Sequence, residues 1–390
     1  MRQAIKPKNG NDVEVARALT HLRRLLIAVV IATATANVVA THTVNAGTTS
    51  QSTPIPLLLT GVAGTPLTFL VSTKSVDCAS GPCLQLQRTS DNGAHFTTLH
   101  LPPISPARGS SLGNFSELFF ANSMDGYALF NATNTFVWYV TTDGARSWHR
   151  ESVASGESIL RLVPAHRELY AVIARCTKKY TCTDYRIART PLTANRWTID
   201  ALPAPLAKGG FALDAYGSIV WANLQDSRVP RLFTSRDEGR TFTQSSAPLL
   251  ASVSACNLTP MSPTSLWAEC PTGMLVSFFH SGDAGVHWTS ISRYEFSGTG
   301  GGAFDPVSSS LAYLNFGPFT SRARDLYAIT NSGHRMTAVG NLACTSTNGL
   351  VFSNATRGLA ICQKNGATSS TYLLRTSDGG RSWTKVSLSR

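Results

Sequence analysis

Beyond residue 54 the hydrophobic positions fall in short runs, and several runs share one core: a large apolar residue followed by Ala. Tyr127-Ala128, Tyr170-Ala171, Trp221-Ala222, Trp267-Ala268 and Leu359-Ala360 carry it. The 30 glycines and 19 prolines are dispersed along the chain. This spread predicts many short strands joined by many turns. Downstream of the runs a polar octet recurs, Ser/Thr-x-Asp-x-Gly-x-x-aromatic. From Ala128, Ala222 and Ala268 to the next octet is 13 residues each time.

The octets begin at Thr89, Thr141, Thr190, Ser235, Ser281, Ile329 and Thr376. Their spacings are 52, 49, 45, 46, 48 and 47 residues, the period of a four-stranded blade. Four copies keep the full form: Asp91, Gly93 and Phe96; Asp237, Gly239 and Phe242; Asp283, Gly285 and Trp288; Asp378, Gly380 and Trp383. The second copy keeps Asp143 and Trp148 but shifts its glycine to Gly144. The third keeps Thr190 and Trp197, and the sixth keeps Gly333 with Asn331 in the Asp place. In such a turn the Asp carboxylate accepts backbone N–H groups, and Gly supplies a positive φ. The aromatic starts the next strand and packs between hairpins. The octet therefore reads as a structural staple.

These octets resemble the Asp-box, or bacterial neuraminidase, repeat. The Gly-Tyr-Ala-Leu and Leu-Trp-Ala elements resemble the repeat of the photosystem II stability/assembly factor family. The resemblance covers about residues 55–390. It implies an all-β chain: a seven-bladed β-propeller of four-stranded antiparallel blades. It also implies that the octets join third and fourth strands, on the face opposite the usual ligand site. Blades three and six, with decayed octets, are expected to be the least regular.

Residues 1–46 differ from the rest. Arg23-Arg24 precede an apolar run of 16 residues, Leu25 to Ala40, and Val44-Asn45-Ala46 has the form of a signal-peptidase site. The segment is expected to be a signal peptide, with an uncleaved signal anchor as the alternative. Residues 47–54 then form a linker, and the propeller is secreted or sits on the outer face of the cytoplasmic membrane. The eight cysteines agree, falling as local pairs: Cys78 with Cys83, Cys176 with Cys182, Cys256 with Cys270 and Cys344 with Cys362. In an oxidising compartment they read as four disulfides, each within one blade. A zinc site would want C-x-x-C spacing, which none of the pairs has.

The net charge is +12; without residues 1–46, 28 Lys/Arg face 20 Asp/Glu, leaving +8. A basic exported protein favours an anionic glycan, an envelope polymer or an acidic protein surface over nucleic acid. The links between second and third strands carry the candidate ligand residues Arg175, Lys178, Lys179, Tyr180, Arg322 and Arg324. A solvated basic rim is the rival reading of the same residues.

Enzyme motifs are weak. A sialidase, by resemblance, needs Phe/Tyr-Arg-Ile-Pro ahead of the first octet. The nearest match, Tyr185-Arg186-Ile187-Ala188, precedes the third. Tyr294 and Glu295 are adjacent, so a strand would point them to opposite faces. Gly109-Ser110-Ser111-Leu112-Gly113 fits a nucleophile elbow but lies in a Pro/Ser/Gly-rich link rather than between strand and helix. No catalytic residue, metal ligand or cofactor is assigned. The reading is a monomeric, non-catalytic binding or assembly module, with a divergent sialidase-like glycoside hydrolase as the alternative.

Overall fold

The structure, a computed structural model, describes residues 54–62, 65–73, 84–103, 115–131, 136–153, 157–165, 168–178, 181–192, 196–204, 211–226, 229–246, 256–272, 275–291, 303–315, 325–364 and 370–388. The expected signal segment lies outside these residues. So do Cys78 and Cys83, and with them the first of the four expected disulfides. Among the described residues there is no helix.

The strands group into seven sheets of four, each built from consecutive strands in order. Blade 1 is β1 Pro56–Gly61, β2 Thr68–Thr73, β3 Leu84–Thr89 and β4 Thr97–Leu99. Blade 2 is β5 Phe115–Phe120, β6 Gly126–Asn131, β7 Phe136–Thr141 and β8 His149–Glu151. Blade 3 is β9 Ser158–Ala165, β10 Glu168–Lys178, β11 Thr181–Pro191 and β12 Thr198–Ala201. Blade 4 is β13 Phe211–Tyr216, β14 Ile219–Asp226, β15 Val229–Ser235 and β16 Thr243–Ser245. Blade 5 is β17 Asn257–Pro260, β18 Leu266–Thr272, β19 Leu275–Ser281 and β20 Thr289–Ser290. Blade 6 is β21 Ala303–Ser308, β22 Leu311–Asn315, β23 Leu326–Thr330 and β24 Arg335–Gly340. Blade 7 is β25 Ser346–Phe352, β26 Gly358–Lys364, β27 Ser370–Thr376 and β28 Thr384–Val386.

The apolar core lies between blades. Seven buried clusters occur among the described residues, each drawn from two neighbouring blades. The second strands are covered on both faces, so they read as unbroken apolar runs instead of alternating ones. Phe69-Leu70-Val71 and Leu359-Ala360-Ile361 show this, all at 0 or 1% exposure. The small Ala of each run lets the neighbouring sheet approach; Ala128, Ala171, Ala222, Ala268 and Ala360 are all buried. Large rings fill the remaining gaps, as in the Phe69–Phe120 stack between blades 1 and 2.

Three buried tryptophans tie neighbours together by hydrogen bonds. Trp138 Nε1 donates to Ile159 O of blade 3 at 2.9 Å, and Trp221 Nε1 to Ala284 O of blade 5 at 3.2 Å. Trp267 Nε1 donates to Ser308 O of blade 6 at 2.9 Å. Each bond satisfies an otherwise buried indole donor.

The last cluster closes the ring. Leu59 and Leu70 of blade 1 pack with Val351, Leu359, Ile361 and Leu373 of blade 7. Asn92 Nδ2 donates to Thr376 O across the same seam at 2.7 Å. Among the described strands, neither terminal blade borrows one from the other end of the chain.

Blades 3 and 6, with decayed octets, carry the most register shifts: three in blade 3 and two in blade 6, against one each in blades 1, 2 and 7 and none in blades 4 and 5. Blade 6 has the longest fourth strand, six residues, because a short turn through Asn331, Ser332 and Gly333 replaces the octet. Blade 3 has the longest hairpin, with two 11-residue strands. The expected irregularity is present in strand register, while in blade 6 a left-handed turn still closes the hairpin without the Asp.

Candidate functional site

Register defines two sides. Gly61 pairs with Thr68 and Thr68 with Thr89, so the octet side holds the ends of β1 and β3 and the start of β2. Thr73 pairs with Leu84, so the β2–β3 link and the interblade links lie on the far side. Octet-side connections span two to seven residues; far-side ones span two to 15.

The five Asp-bearing octets share one geometry. In the last, Thr376 Oγ1 accepts Gly380 N at 2.9 Å and donates to Asp378 Oδ1 at 2.8 Å. Asp378 also accepts Ser382 N at 2.9 Å and Ser382 Oγ at 2.6 Å. Asp143 and Asp237 are held in the same way by Ser147 and Thr241. Asp91 and Asp283 take His95 and His287 Nδ1 in place of the hydroxyl. Hydrogen bonds from Ser147 and Ser382 hold Asp143 and Asp378 down to about 2. Such carboxylates are ionised turn acceptors, not proton donors at neutral pH. Two octet tryptophans reach back to the preceding blade: Trp148 Nε1 donates to His100 O, and Trp288 Nε1 to Ser246 O.

Three disulfides lie on the far side: Cys176–Cys182, Cys256–Cys270 and Cys344–Cys362, each within one blade. The first closes the β10–β11 hairpin. The others join the lead-in to a first strand with the end of a second. Of the candidate ligand residues, Arg175 is described on β10, its side chain 67% exposed and 3.5 Å from Asp184. The Lys178 side chain, Lys179, Tyr180, Arg322 and Arg324 lie outside the described residues. The Arg186 guanidinium bridges Glu157 and Asp184. Beside it an open groove of about 540 Å³ is lined by Tyr185, Ile199, Asp200 and Leu202.

The inner strands hold ionisable groups that sequence reasoning missed. Arg161 on β9 donates to Glu117 Oε1 on β5 at 2.9 Å, and its other nitrogen lies 3.9 Å from Asp214 Oδ1 on β13. Tyr127 OH donates to the same Glu117 oxygen at 3.3 Å. Burial raises Asp214 to about 7, against the opposing pull of Arg161 and the Leu258 N–H. On β21, burial raises Asp305 to about 8, although it accepts the Phe352 N–H of blade 7. These residues are single charges inside the apolar first strands of blades 2, 3, 4 and 6. Their one legible signal was a charge in the first strand of a blade.

Known proteins help with the fold. No family model matches the chain, and no curated protein does. Solved structures do. A prolyl endopeptidase aligns with TM-score 0.56 and 12% identity, over 85% of this chain and 49% of that one. The β-propeller domain of the Trilobed protease from Pyrococcus furiosus aligns with TM-score 0.55 and 8% identity, over 87% and 97%. The fold is a seven-bladed β-propeller. YCF48 bound to D1 peptide aligns at TM-score 0.46 and 14% identity, over 70% of this chain and 81% of that one. The propeller spans about half of the prolyl endopeptidase chain, and identities this low speak to fold alone.

Proposed function

We propose that this propeller is an extracytoplasmic binding or assembly module that takes an acidic protein or envelope-polymer partner on its far side. Residues 1–46 are then its export signal. One observation carries the reading: the longest connections and all three described disulfides lie on the same side. Loops of varied length on a rigid scaffold are where binding residues gather, and the disulfides stiffen the strand ends that bear them. The octet carboxylates are consumed by their own turns, and the net charge of the exported part favours an acidic partner. A photo-cross-linker placed at Arg175 and, separately, at exposed Val286 in the fifth octet tests the side. Cross-links to one partner from Arg175 and none from Val286 are expected. Equal capture from both positions would sink the reading. Charge reversal at Lys178, Lys179, Arg322 and Arg324 should weaken binding and flatten its salt dependence.

A second reading, a divergent glycoside hydrolase, is favoured by Asp214. Held near neutrality, it carries a proton for part of the time, close to a second carboxylate on the same guanidinium. Turnover of chromogenic glycosides that Asp214→Asn abolishes would support it. No turnover across a broad glycoside panel would remove it.

A further inference from the structure

The side of blade 2 that faces blade 3 differs from its other side. Phe120, turned towards blade 1, stacks on Phe69 and is 1% exposed. Phe119, its neighbour on β5, points the other way and is 37% exposed. Glu117 and Phe119 are two residues apart, so they share that side. Tyr127 confirms it: its ring stacks on Phe119 at 5.4 Å while its hydroxyl reaches Glu117. Blade 4 repeats the arrangement. Asp214 and Tyr216 are two apart on β13, so they share the side turned away from Leu213 and blade 3; Asp214 accepts the Leu258 N–H of blade 5, and its Oδ1 lies 3.9 Å from Arg161. Tyr216 is 41% exposed and ends its strand beside the Gly217-Ser218 turn on the octet side. Two exposed rings thus stand one step towards the octet side from two carboxylates that share one guanidinium. The Glu117 and Arg161 side chains are themselves about one-third exposed, at 32% and 35%.

We propose that the octet-side ends of these first strands form a saccharide-binding subsite, with Phe119 and Tyr216 as stacking platforms and Glu117, Arg161 and Asp214 as hydrogen-bonding groups. A neutral sugar ring presents an apolar C–H face and a rim of hydroxyls that both donate and accept. The rings match the face. The carboxylates accept and the guanidinium donates, which matches the rim. Charge selects against the rivals. Arg161 sits between the carboxylates and opposes an organic cation, while the carboxylates oppose a free anion. The subsite lies on the opposite side from the partner face proposed above and stands or falls separately from it. It needs no hydrolysis.

Calorimetry on the purified protein tests it with three probes: a tetrasaccharide of β-1,4-linked glucose, one of β-1,4-linked N-acetylglucosamine, and tetramethylammonium. At least one tetrasaccharide binds the wild type. Phe119→Ala with Tyr216→Ala weakens that binding about tenfold or more, Glu117→Gln weakens it too, and Arg150→Glu, at an exposed position on β8, leaves it unchanged. Near-UV circular dichroism checks the fold of each variant, and the single Tyr216→Ala, at an exposed hairpin end, carries the test if the double variant unfolds. Three results would overturn the proposal: no binding of either tetrasaccharide, undiminished binding by a folded aromatic variant, or tighter binding of tetramethylammonium than of both sugars.

Discussion

Replacing Trp267 by Phe should weaken the joint between blades 5 and 6 by an amount that the packing sets. The indole is fully buried against Phe304 and His280, with ring centroids 6.1 and 4.5 Å away. Its Nε1 donates to Ser308 O across the blade boundary. Phe removes that bond, worth about 1 kcal/mol net, and leaves the carbonyl without its partner. The smaller ring also leaves a void, for about 1–2 kcal/mol more. The total is about 2–3 kcal/mol. A propeller of this size has an unfolding entropy on the order of 0.7 kcal/mol/K, so the Tm should fall by about 3–4 °C. Scanning calorimetry gives the shift, and amide exchange on β18 and β22 localises it. Trp383→Phe is the internal control: that indole is only partly buried and donates to Gly380 O within its own octet. It should cost less than half as much. A Trp267→Phe protein within about 0.5 kcal/mol of wild type would refute the claim that these indoles hold the blades together.

Gly380 has φ +84°, and a Cβ there would lie 2.3 Å from Leu326 Cδ2, so Gly380→Ala should cost about 2–4 kcal/mol in urea unfolding. Gly239→Ala, with φ +81° but its nearest neighbour at 3.5 Å, should cost only the backbone strain, about 1 kcal/mol. Removing Cys344–Cys362, which closes a separation of 18 residues, should lower stability by about 3 kcal/mol, read against reduced wild type as control. Stability should fall at both ends of the pH scale. The octet carboxylates have depressed values when folded, so their contribution is present above about 4 and is lost as pH falls towards about 2. Asp305 is raised to about 8 when folded, so the native state holds its proton more tightly and loses stability as pH rises from about 4 to 8. Asp305→Asn should therefore flatten the alkaline limb of urea midpoints by about 1 kcal/mol or more, and an unchanged limb would contradict this.

Much of the fold was legible because the sequence states the blade seven times. The octets mark the third-to-fourth turns, and the apolar-Ala runs mark the second strands. The Ala positions were visible before their reason, which is the close approach of neighbouring sheets. The interblade tryptophan bonds were not legible, since Trp138, Trp221 and Trp267 differ from other apolar residues only in what they meet across a boundary. Glu117, Arg161 and Asp214 were missed for a related reason. They lie 44 and 53 residues apart in sequence, and only the packing of blades 2, 3 and 4 side by side brings them together. Asp184 shows the limit of sorting loops by charge: it partners both Arg175 and Arg186, so part of the apparent basic excess is neutralised locally.

The seam between blades 1 and 7 has a consequence for biogenesis. Because no strand is exchanged across it, each blade is complete once its own stretch of chain has emerged, and contacts within a blade are local. A chain that emerges from its N-terminus can lay down blades in order, each finding its neighbour already formed. The first blade waits with one apolar side uncovered until the seventh arrives. Leu59 and Leu70 face blade 7 across the seam, so this is the surface that a chaperone would have reason to shield, and only until the final blade is out.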